Sequence, residues 1–506
     1  MKNIFYILLI SLPFIGCNDD DLEQSNPNVI TQESFWETED DILSGLAATY
    51  KVLRDVNNGY WGVRGVEVTN GRGDDFFIRN DVRDLYQLST FTNNSTTGTP
   101  ASMFSGFYTS IFRANQVIAN TPDSTIPEEK KTELIAEAKF LRAINYFHLA
   151  INFGAVPIIN TVPQLREDFF VKQSPEVDVW MQVENDLKDA KEGLPVSYPP
   201  EWVGRATKGA AIGYLGKAFL YQEKWSEAEG EFSLLAEPNG NPKSPYNYDL
   251  MENYKDNFLA EYDNNKESIF EIQNQNVGGT NPWSGENANE SQGVTTAQEF
   301  APTEVGGWFE AFATNKIFNE FQEEKTVDGD FDPRMYASLV WDYPGSTFYN
   351  KPFSDFTLQY GFNSIIKKYQ NYLDDNEGIW ISDINEKALR FADVLLMYAE
   401  AVTMQGNPNE ALALVSRIRK RADLSDLTGG LSQNELMVEI RHQRMVEFFR
   451  EGLRFYDLKR WGLLEEEILN SDKEGREFFN PARHEYFPIP QNEINTNPNI
   501  EQNPNW

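Results

Sequence analysis

The sequence predicts a mainly α-helical protein, built from paired helices that carry a loop-rich insertion with few strands. Apolar residues recur at helical spacing through most of the first half of the 506-residue chain. A pair of helices joined by a short polar turn follows, and a second pair of the same design recurs near the C-terminus. Between residues 238 and 383 the chain instead becomes rich in glycine, asparagine, proline and aromatic residues.

The first four helices follow from their apolar periodicity and from the residues at their starts. Residues 34–54 predict the first helix, because acidic residues crowd a first turn where the helix dipole favours anions. The aromatic residues between Phe104 and Phe112 predict a second helix, Pro127 opens a third and Pro175 opens a fourth. The apolar stripes of the first, third and fourth helices are Ile42, Leu43, Leu46, Tyr50 and Leu53; Leu134, Ala138, Leu141 and Phe147; and Trp180, Val183, Leu187 and Ala190.

The next helices carry a repeat. Residues 207–222 read TKGAAIGYLGKAFLYQ, with small residues where another helix must approach closely, and residues 224–236 return as the partner helix. Residues 392–406 and 407–422 repeat this order. Small residues at a crossing, a short polar turn and an alanine-containing return helix are typical of tetratricopeptide-like hairpins. We therefore expect a tetratricopeptide-like scaffold of about four helical hairpins.

The middle of the chain is predicted to decorate this scaffold. Residues 267–273 alternate between apolar and polar side chains, which predicts a strand. The rest of residues 238–383 reads mainly as loops, and loops of that length in a compact protein are usually functional. We therefore expect a ligand site in this loop-rich, few-stranded region.

The N-terminus has the pattern of a secreted lipoprotein. Residues 4–15 form an apolar run that is too short to span a bilayer, so residues 1–16 predict a signal peptide. Cys17, the only cysteine of the chain, follows Gly16 directly, which resembles a bacterial lipobox and predicts lipid attachment at Cys17. The alternative is an incidental cysteine beside a signal that is simply removed. Residues 17–31 then predict a polar, flexible tether, and residues 32–506 a single domain.

Charge and motifs exclude several classes of function. The formal net charge is -34 and no run of lysine and arginine interrupts the acidic excess, which argues against a nucleic-acid partner. The sequence lacks a nucleophile elbow, a phosphate-binding loop and a paired-cysteine or His-Glu-x-x-His zinc motif, and it has three histidines. Hydrolysis by two carboxylates stays open, but nothing selects a pair among 78 acidic residues. We therefore predict a protein without enzymatic activity, cofactor or metal.

Several blocks in the second half of the chain share one pattern. The most specific block spans residues 440–448 and continues through residues 451–462, and further blocks lie at residues 332–334, 390–401 and 487–494. Together they resemble the SusD/RagB-like outer-membrane lipoproteins of the Bacteroidetes. The residue types in these blocks also indicate a structural role. Arginine and glutamate lie three or four residues apart around apolar residues, which predicts ion pairs that hold two C-terminal helices together.

The resemblance implies a function and partners. SusD-like proteins are lipid-anchored at the outer membrane, exposed on the cell surface, and bind glycans that they deliver to a SusC-like TonB-dependent transporter. An acidic run such as Asp19-Asp20-Asp21 after the lipidated cysteine also resembles the surface-export signal of Bacteroidetes lipoproteins. The expected ligand is a polysaccharide or oligosaccharide, with a neutral glucan or hemicellulose preferred. A peptide-binding member of the same family and, further off, a surface glycoside hydrolase are the alternatives.

Two loop regions offer the residue types that sugar binding needs. Flat aromatic faces stack on the C–H surface of a pyranose, and amide, carboxylate or arginine groups bond its hydroxyls. The family also binds glycans with loops from its N-terminal part and its middle. For any single tryptophan, a place in the core is about as probable as a stacking role. The predicted site has an aromatic platform of Trp61, Trp283 and Trp308 with Asn70, Arg72, Asp74 and Asn281 as polar contacts.

Overall fold

A computed structural model describes residues 35–275, 293–372 and 381–506 of the chain. The predicted signal peptide, the tether with Cys17, and the predicted site residues Asn281 and Trp283 lie outside these ranges. None of the helices in the described ranges combines the length and the apolar character needed to cross a membrane. The α-helices are α1 Glu39–Leu53, α2 Val63–Gly71, α3 Arg83–Ser89, α4 Gly98–Asn120, α5 Glu128–Phe153, α6 Glu176–Gly193, α7 Lys208–Tyr221, α8 Trp225–Phe232, α9 Thr296–Phe300, α10 Asn315–Glu320, α11 Pro333–Ser338, α12 Phe391–Met404, α13 Pro408–Arg421, α14 Gln433–Glu447, α15 Arg454–Arg460, α16 Leu464–Leu469, α17 Pro481–His484 and α18 Gln491–Thr496.

Short strands pair two by two and antiparallel within the described residues. The pairing of β1 with β5 joins the N-terminal part of the chain to its middle, with Phe76 opposite Ala313. The pairing of β4 with β10 joins the middle to the start of α12, with Ile272 opposite Glu386. The strands are β1 Phe76–Ile78, β2 Val156–Pro157, β3 Gln173–Ser174, β4 Ser268–Ile272, β5 Ala311–Ala313, β6 Leu339–Trp341, β7 Thr347–Phe348, β8 Lys351–Pro352, β9 Ser364–Ile366 and β10 Glu386–Arg390.

Helix starts follow local capping chemistry. The Thr38 hydroxyl accepts a hydrogen bond from the Asp41 amide, and the Asp41 carboxylate accepts one from the Thr38 amide at 2.8 Å. This capping box satisfies amides that the first helical turn leaves unpaired, so α1 begins at Glu39 and not at the predicted residue 34. Ser432 and Glu435 form the same box at the start of α14.

Four helix pairs form the scaffold, as the sequence predicted. Helix α1 packs on α4, α5 on α6, α7 on α8, and α12 on α13, while contacts of α6 with α7 and of α8 with α12 join neighbouring pairs. The close approach of α7 to α8 depends on Gly216, since a Cβ atom there would lie 2.5 Å from a ring carbon of Phe232. The fold is therefore mainly α-helical and is built from tetratricopeptide-like hairpins.

One large hydrophobic core connects the two ends of the described chain. It extends from Ile42 in α1 to Ile500 near the C-terminus and is continuous through the helical pairs. The C-terminal segment is part of it: the Phe487 amide donates to the Asn152 carbonyl at 2.7 Å, and Ile489 is fully buried. A smaller cluster around Phe77, with the aromatic residues Phe309, Phe312, Phe348 and Phe362, lies under the loop-rich middle.

A buried network of ion pairs joins several separate segments of the second half of the chain. Its cations are Arg334, Lys368, Arg390 and Arg421, and its carboxylates are Asp332, Glu267, Glu447 and Glu451. The four positive and four negative groups balance, which is the condition under which buried charges are tolerated. Beside it, Arg444 of α14 donates to Asp457 of α15 at 2.8 Å. Ion pairs thus join two C-terminal helices as predicted, but Glu447 and Glu451 pair with cations from other parts of the chain and not with arginines three or four residues away.

The segment after α1 differs from the predicted loop. Residues 63–71 form α2, whose residues are all buried except Arg64. Helix α2 is covered by α4 on one side and α15 on another, so it has no polar face that faces water. A helix buried all round lacks the amphipathic stripe on which sequence prediction depends.

Candidate functional site

The predicted site residues Trp61 and Asn70 lie inside the fold. Trp61 is 8% exposed, and its indole packs edge-on against the rings of Tyr60 and His148, each 4.9 Å away between centroids. The Asn70 amide donates to the Val66 carbonyl at 2.8 Å and accepts from the Gly452 amide at 3.0 Å. Both side chains are therefore engaged in contacts within the fold and are not available to a ligand.

Arg72 has a structural role as well. Its guanidinium is 3% exposed and lies between the rings of Phe455 and Phe487, at 3.7 and 4.0 Å from their centroids. It donates to the carbonyl of His484 at 2.7 Å. Burial lowers the pKa of Arg72 to about 10, which leaves it charged near neutral pH. Arg72 therefore holds the C-terminal segment to the end of α2.

Asp74 is fully buried and paired. Its carboxylate accepts two hydrogen bonds from Arg454, at 2.7 and 2.8 Å, and lies 3.1 Å from the ammonium of Lys316. Burial disfavours the charged form, but Arg454 and Lys316 outweigh it and hold the pKa of Asp74 at about 2. The prediction of Trp61, Asn70, Arg72 and Asp74 as ligand contacts is therefore corrected, because their ligand-binding groups are covered and already bonded.

Trp308 is the one predicted site residue in the described ranges that is partly exposed. It lies at the end of a tight turn in which the Trp308 amide donates to the Gln298 carbonyl at 2.8 Å. Gly306 has a φ of 88°, and a Cβ atom on Gly307 would lie 2.0 Å from the Ala301 carbonyl oxygen. Only glycine fits this turn, so the two glycines place the indole at the surface.

Polar and aromatic residues are linked to Trp308 through its backbone carbonyl. Arg79, which directly follows β1, donates to the carbonyl of Trp308 and pairs with Asp81 at 2.5 Å. The Asn80 amide donates to the hydroxyl of Tyr360 at 3.4 Å, and the Tyr360 ring is 40% exposed. These five residues, Arg79, Asn80, Asp81, Trp308 and Tyr360, are called the Trp308 surface below. They combine aromatic faces with charged and amide groups, which is the chemistry that sugar binding needs.

A second aromatic concavity is lined by the connection between α6 and α7 together with residues around β4, and the sequence did not predict it. It is a groove of about 350 Å³ that Tyr198, Arg205, Tyr246 and Tyr248 help to line. Trp202, 43% exposed, stands beside it with the Arg205 guanidinium 5.3 Å from the Trp202 ring centre. The signal that could have found it is the proline-rich stretch at residues 198–202, which places two aromatic residues in a connection between helices.

Three glutamates meet under the Trp308 turn. Glu67 of α2, Glu299 of α9 and Glu310 each offer a carboxylate oxygen, and these oxygens lie within 4.8 Å of one another. Burial raises the pKa of Glu67 to about 7, and burial together with the charge of Glu67 raises the pKa of Glu299 well above its usual value. The sequence did not predict this group, because Glu67 lies more than 200 residues before Glu299 and Glu310 and meets them only through the fold.

The structure belongs to the class of α-helical hairpin scaffolds whose loops carry partly exposed aromatic side chains. The family model described as SusD family matches residues 266–506, and a second model, described as starch-binding associating with outer membrane, matches residues 22–220. With the 35% identity to a SusD superfamily protein given next, these matches show that the chain belongs to the SusD family.

Known relatives are similar to this chain over nearly its whole length. A SusD superfamily protein from Bacteroides vulgatus is 35% identical, with a TM-score of 0.85 over 93% of this chain and 100% of that one. A structure described as a laminarin-binding SusD-like protein is 27% identical, with a TM-score of 0.79 over 93% of this chain and 100% of its own. SusD-like protein P2 of Formosa agariphila is 28% identical over 99% of this chain and 98% of that protein.

Proposed function

We propose that the protein binds a polysaccharide or oligosaccharide at the cell surface through the Trp308 surface. The observation that carries the proposal is the Gly306-Gly307 turn, which carries the partly exposed Trp308. The backbone carbonyl of Trp308 accepts from Arg79, and the neighbouring Asn80 backbone amide donates to the exposed Tyr360. A sugar ring stacked on the indole would keep its hydroxyls within reach of those polar groups. One related structure is described as laminarin-binding and one family model as starch-binding, which supports a glycan ligand.

The predicted residues Asn281 and Trp283 remain part of this proposal. They precede α9 in the chain, and α9 leads directly into the turn that carries Trp308. A second stacking tryptophan would allow the site to contact more than one sugar unit. The preferred ligand is a neutral glucan or hemicellulose.

The proposal includes a transporter partner and a membrane anchor. A lipid on Cys17 would hold the protein at the outer membrane, and residues 17–31 would give it reach. The protein would then act as a lid on a SusC-like TonB-dependent transporter, taking up glycan when open and delivering it on closing. The family description that names association with the outer membrane supports this place. Affinity purification from native membranes should recover a TonB-dependent transporter, and repeated recovery without one would contradict the partner.

The ligand is tested by affinity electrophoresis of residues 18–506 through gels that contain neutral or anionic polysaccharides. We expect retardation in at least one gel, loss of retardation in Trp308→Ala, and no change in the thermal unfolding midpoint of that variant. Trp202→Ala is the matched control, because it removes an exposed indole that lies beside the other aromatic groove and away from the Trp308 turn.

Each other result has a distinct meaning. Loss of retardation in Trp202→Ala with normal retardation in Trp308→Ala would move the glycan site to the groove. No retardation in any gel, together with binding to a peptide library, would replace the glycan by a peptide. Release of reducing ends from a polysaccharide would establish hydrolysis and refute a purely binding role.

A further inference from the structure

The three glutamates under the Trp308 turn come from separate parts of the chain. Glu67 lies on α2, Glu299 lies on α9, and Glu310 directly precedes β5. Glu67 and Glu299 are fully buried, while the Glu310 side chain is 12% exposed. One carboxylate oxygen from each lies within 4.8 Å of the other two. The fold thus brings three acidic groups together at a largely buried position.

The cation beside them does not balance the group. Nη1 of Arg64 lies 2.8 Å from a Glu67 oxygen and 3.2 Å from a Glu310 oxygen. With all three glutamates ionised, one arginine leaves an excess of two negative charges at a largely buried position. Unbalanced buried charge is costly, so another positive species is required to neutralise the excess.

Two buried oxygens of this group lack a donor. Oε1 of Glu67 and Oε2 of Glu299 receive no hydrogen bond from any amide, alcohol or cationic group of the described residues. The Thr295 hydroxyl approaches the other oxygen of Glu299, at 3.4 Å. Buried carboxylate oxygens nearly always accept hydrogen bonds or coordinate a metal. The lack of a donor at these two oxygens therefore indicates a ligand independently of the number of acidic residues nearby.

We propose that Glu67, Glu299 and Glu310 form a binding site for one divalent cation, with Ca²⁺ as the preferred ion. Oxygens bound to one Ca²⁺ lie about 5 Å apart at most, since each Ca–O distance is about 2.4 Å, so the present spacing fits without backbone movement. The ligands are all carboxylates, which favours Ca²⁺ over metals that select imidazole or thiolate. Glu310 is open to solvent at its edge, which gives the ion an entry path and room for bound water.

The ion would stiffen the turn that carries Trp308. The Glu310 amide donates to the Glu299 carbonyl at 2.8 Å, so these two ligands close the base of the turn between them. A cation shared with Glu67 would fix that base to α2. This consequence rests on the proposed glycan site, whereas the cation site itself does not. Glycan affinity should fall in EDTA and recover with Ca²⁺ if the Trp308 surface is the site.

A shared proton is the competing way to neutralise the group. The Glu67 and Glu299 carboxyls are close enough to hydrogen-bond to each other, and one proton between them would remove one negative charge. The two explanations differ in what they respond to. A cation site responds to Ca²⁺ and to chelator at constant pH, and a shared proton does not.

The test uses the full chain without its predicted signal peptide, with Cys17→Ser to prevent lipidation. After EDTA treatment and desalting, we expect isothermal titration with CaCl₂ to give one site, and the thermal unfolding midpoint to rise in Ca²⁺. Glu310→Gln should weaken Ca²⁺ binding at least tenfold without lowering the midpoint in EDTA, since its side chain is partly exposed. Glu304→Gln, a glutamate of the same segment outside the cluster, should bind Ca²⁺ as the parent does.

The inference fails on either of two results. One is no heat of Ca²⁺ binding with equal midpoints in Ca²⁺ and EDTA. The other is Ca²⁺ binding that survives Glu310→Gln and Glu67→Gln, which would place the ion elsewhere. If Glu67→Gln raises the midpoint in EDTA and Ca²⁺ has no effect on the parent, the shared proton is the correct explanation. Direct Ca²⁺ binding without any glycan binding would refute the glycan proposal and leave the cation site standing.

Discussion

Replacing Glu447 by glutamine tests whether the buried ion-pair network holds the second half of the chain together. The Glu447 carboxylate is fully buried and accepts hydrogen bonds from Arg390 at 2.6 Å, from Arg334 at 3.2 Å and from Arg421. Glutamine keeps the size of the side chain but removes its charge. The network then has four cations against three carboxylates, and one positive charge is left without compensation in the protein interior.

The expected effect is large. Breaking a buried ion pair by removing one partner costs about 3–5 kcal/mol, and Glu447 serves three arginines at once. We expect Glu447→Gln to lower the free energy of unfolding by about 3–5 kcal/mol, a factor of roughly 10² to 10⁴ in the unfolding equilibrium. Equilibrium unfolding in urea, followed by tryptophan fluorescence, measures the change.

A control separates the network from charge loss in general. Glu128 pairs with Lys131 at 2.9 Å but is 88% exposed, so solvent screens the pair and Glu128→Gln should leave the urea midpoint unchanged. A change below about 1 kcal/mol in Glu447→Gln would refute the reasoning, because a buried partner of three cations cannot be that dispensable.

Two further predictions concern acid and packing. Burial disfavours the charged forms of Asp74 and Asp393, but neighbouring cations hold the pKa of each at about 2, against an ordinary value of 3.8. Because the folded pKa lies below the unfolded one, this stabilisation is complete above about pH 4 and is lost as the pH falls towards 2; thermal midpoints across that range should fall accordingly, and a flat profile would contradict the assignment. Gly216→Val should lower the free energy of unfolding by about 1–3 kcal/mol, because its side chain would overlap the Phe232 ring. In urea unfolding, Gly230→Ala is its control, since nothing lies within 4 Å of a Cβ atom there, and equal losses in both variants would exclude the packing explanation.

The scaffold could be predicted because its signals are local. Helices α4, α5, α6, α7, α12 and α13 each show an apolar stripe within one stretch of sequence, and glycine and alanine at the crossing predict their pairing. Helix α2 could not be predicted in the same way. Its neighbours α4 and α15 cover it on several sides, and α15 lies almost 400 residues away along the chain.

The site was only partly predictable for a similar reason. The glycines beside Trp308 are a local signal for an uncovered indole, and the structure leaves that side chain partly exposed. Arg72 and Asp74 gave a misleading signal, since polar residues around Gly73 look like an open loop. Arg72 pairs with the carbonyl of His484, 412 residues away, and Asp74 pairs with Arg454, 380 residues away. No single stretch of sequence shows such pairings.

The packing of the last residues against the first helices determines when the fold can close. The Asn503 amide donates to the carbonyls of Phe153 and Phe487, at 2.9 and 2.7 Å, and the His484 carbonyl receives the guanidinium of Arg72. A growing chain that has reached only the middle still lacks these partners, so its N-terminal helices keep unsatisfied polar groups and uncovered apolar surface. Final closure therefore waits for the C-terminus.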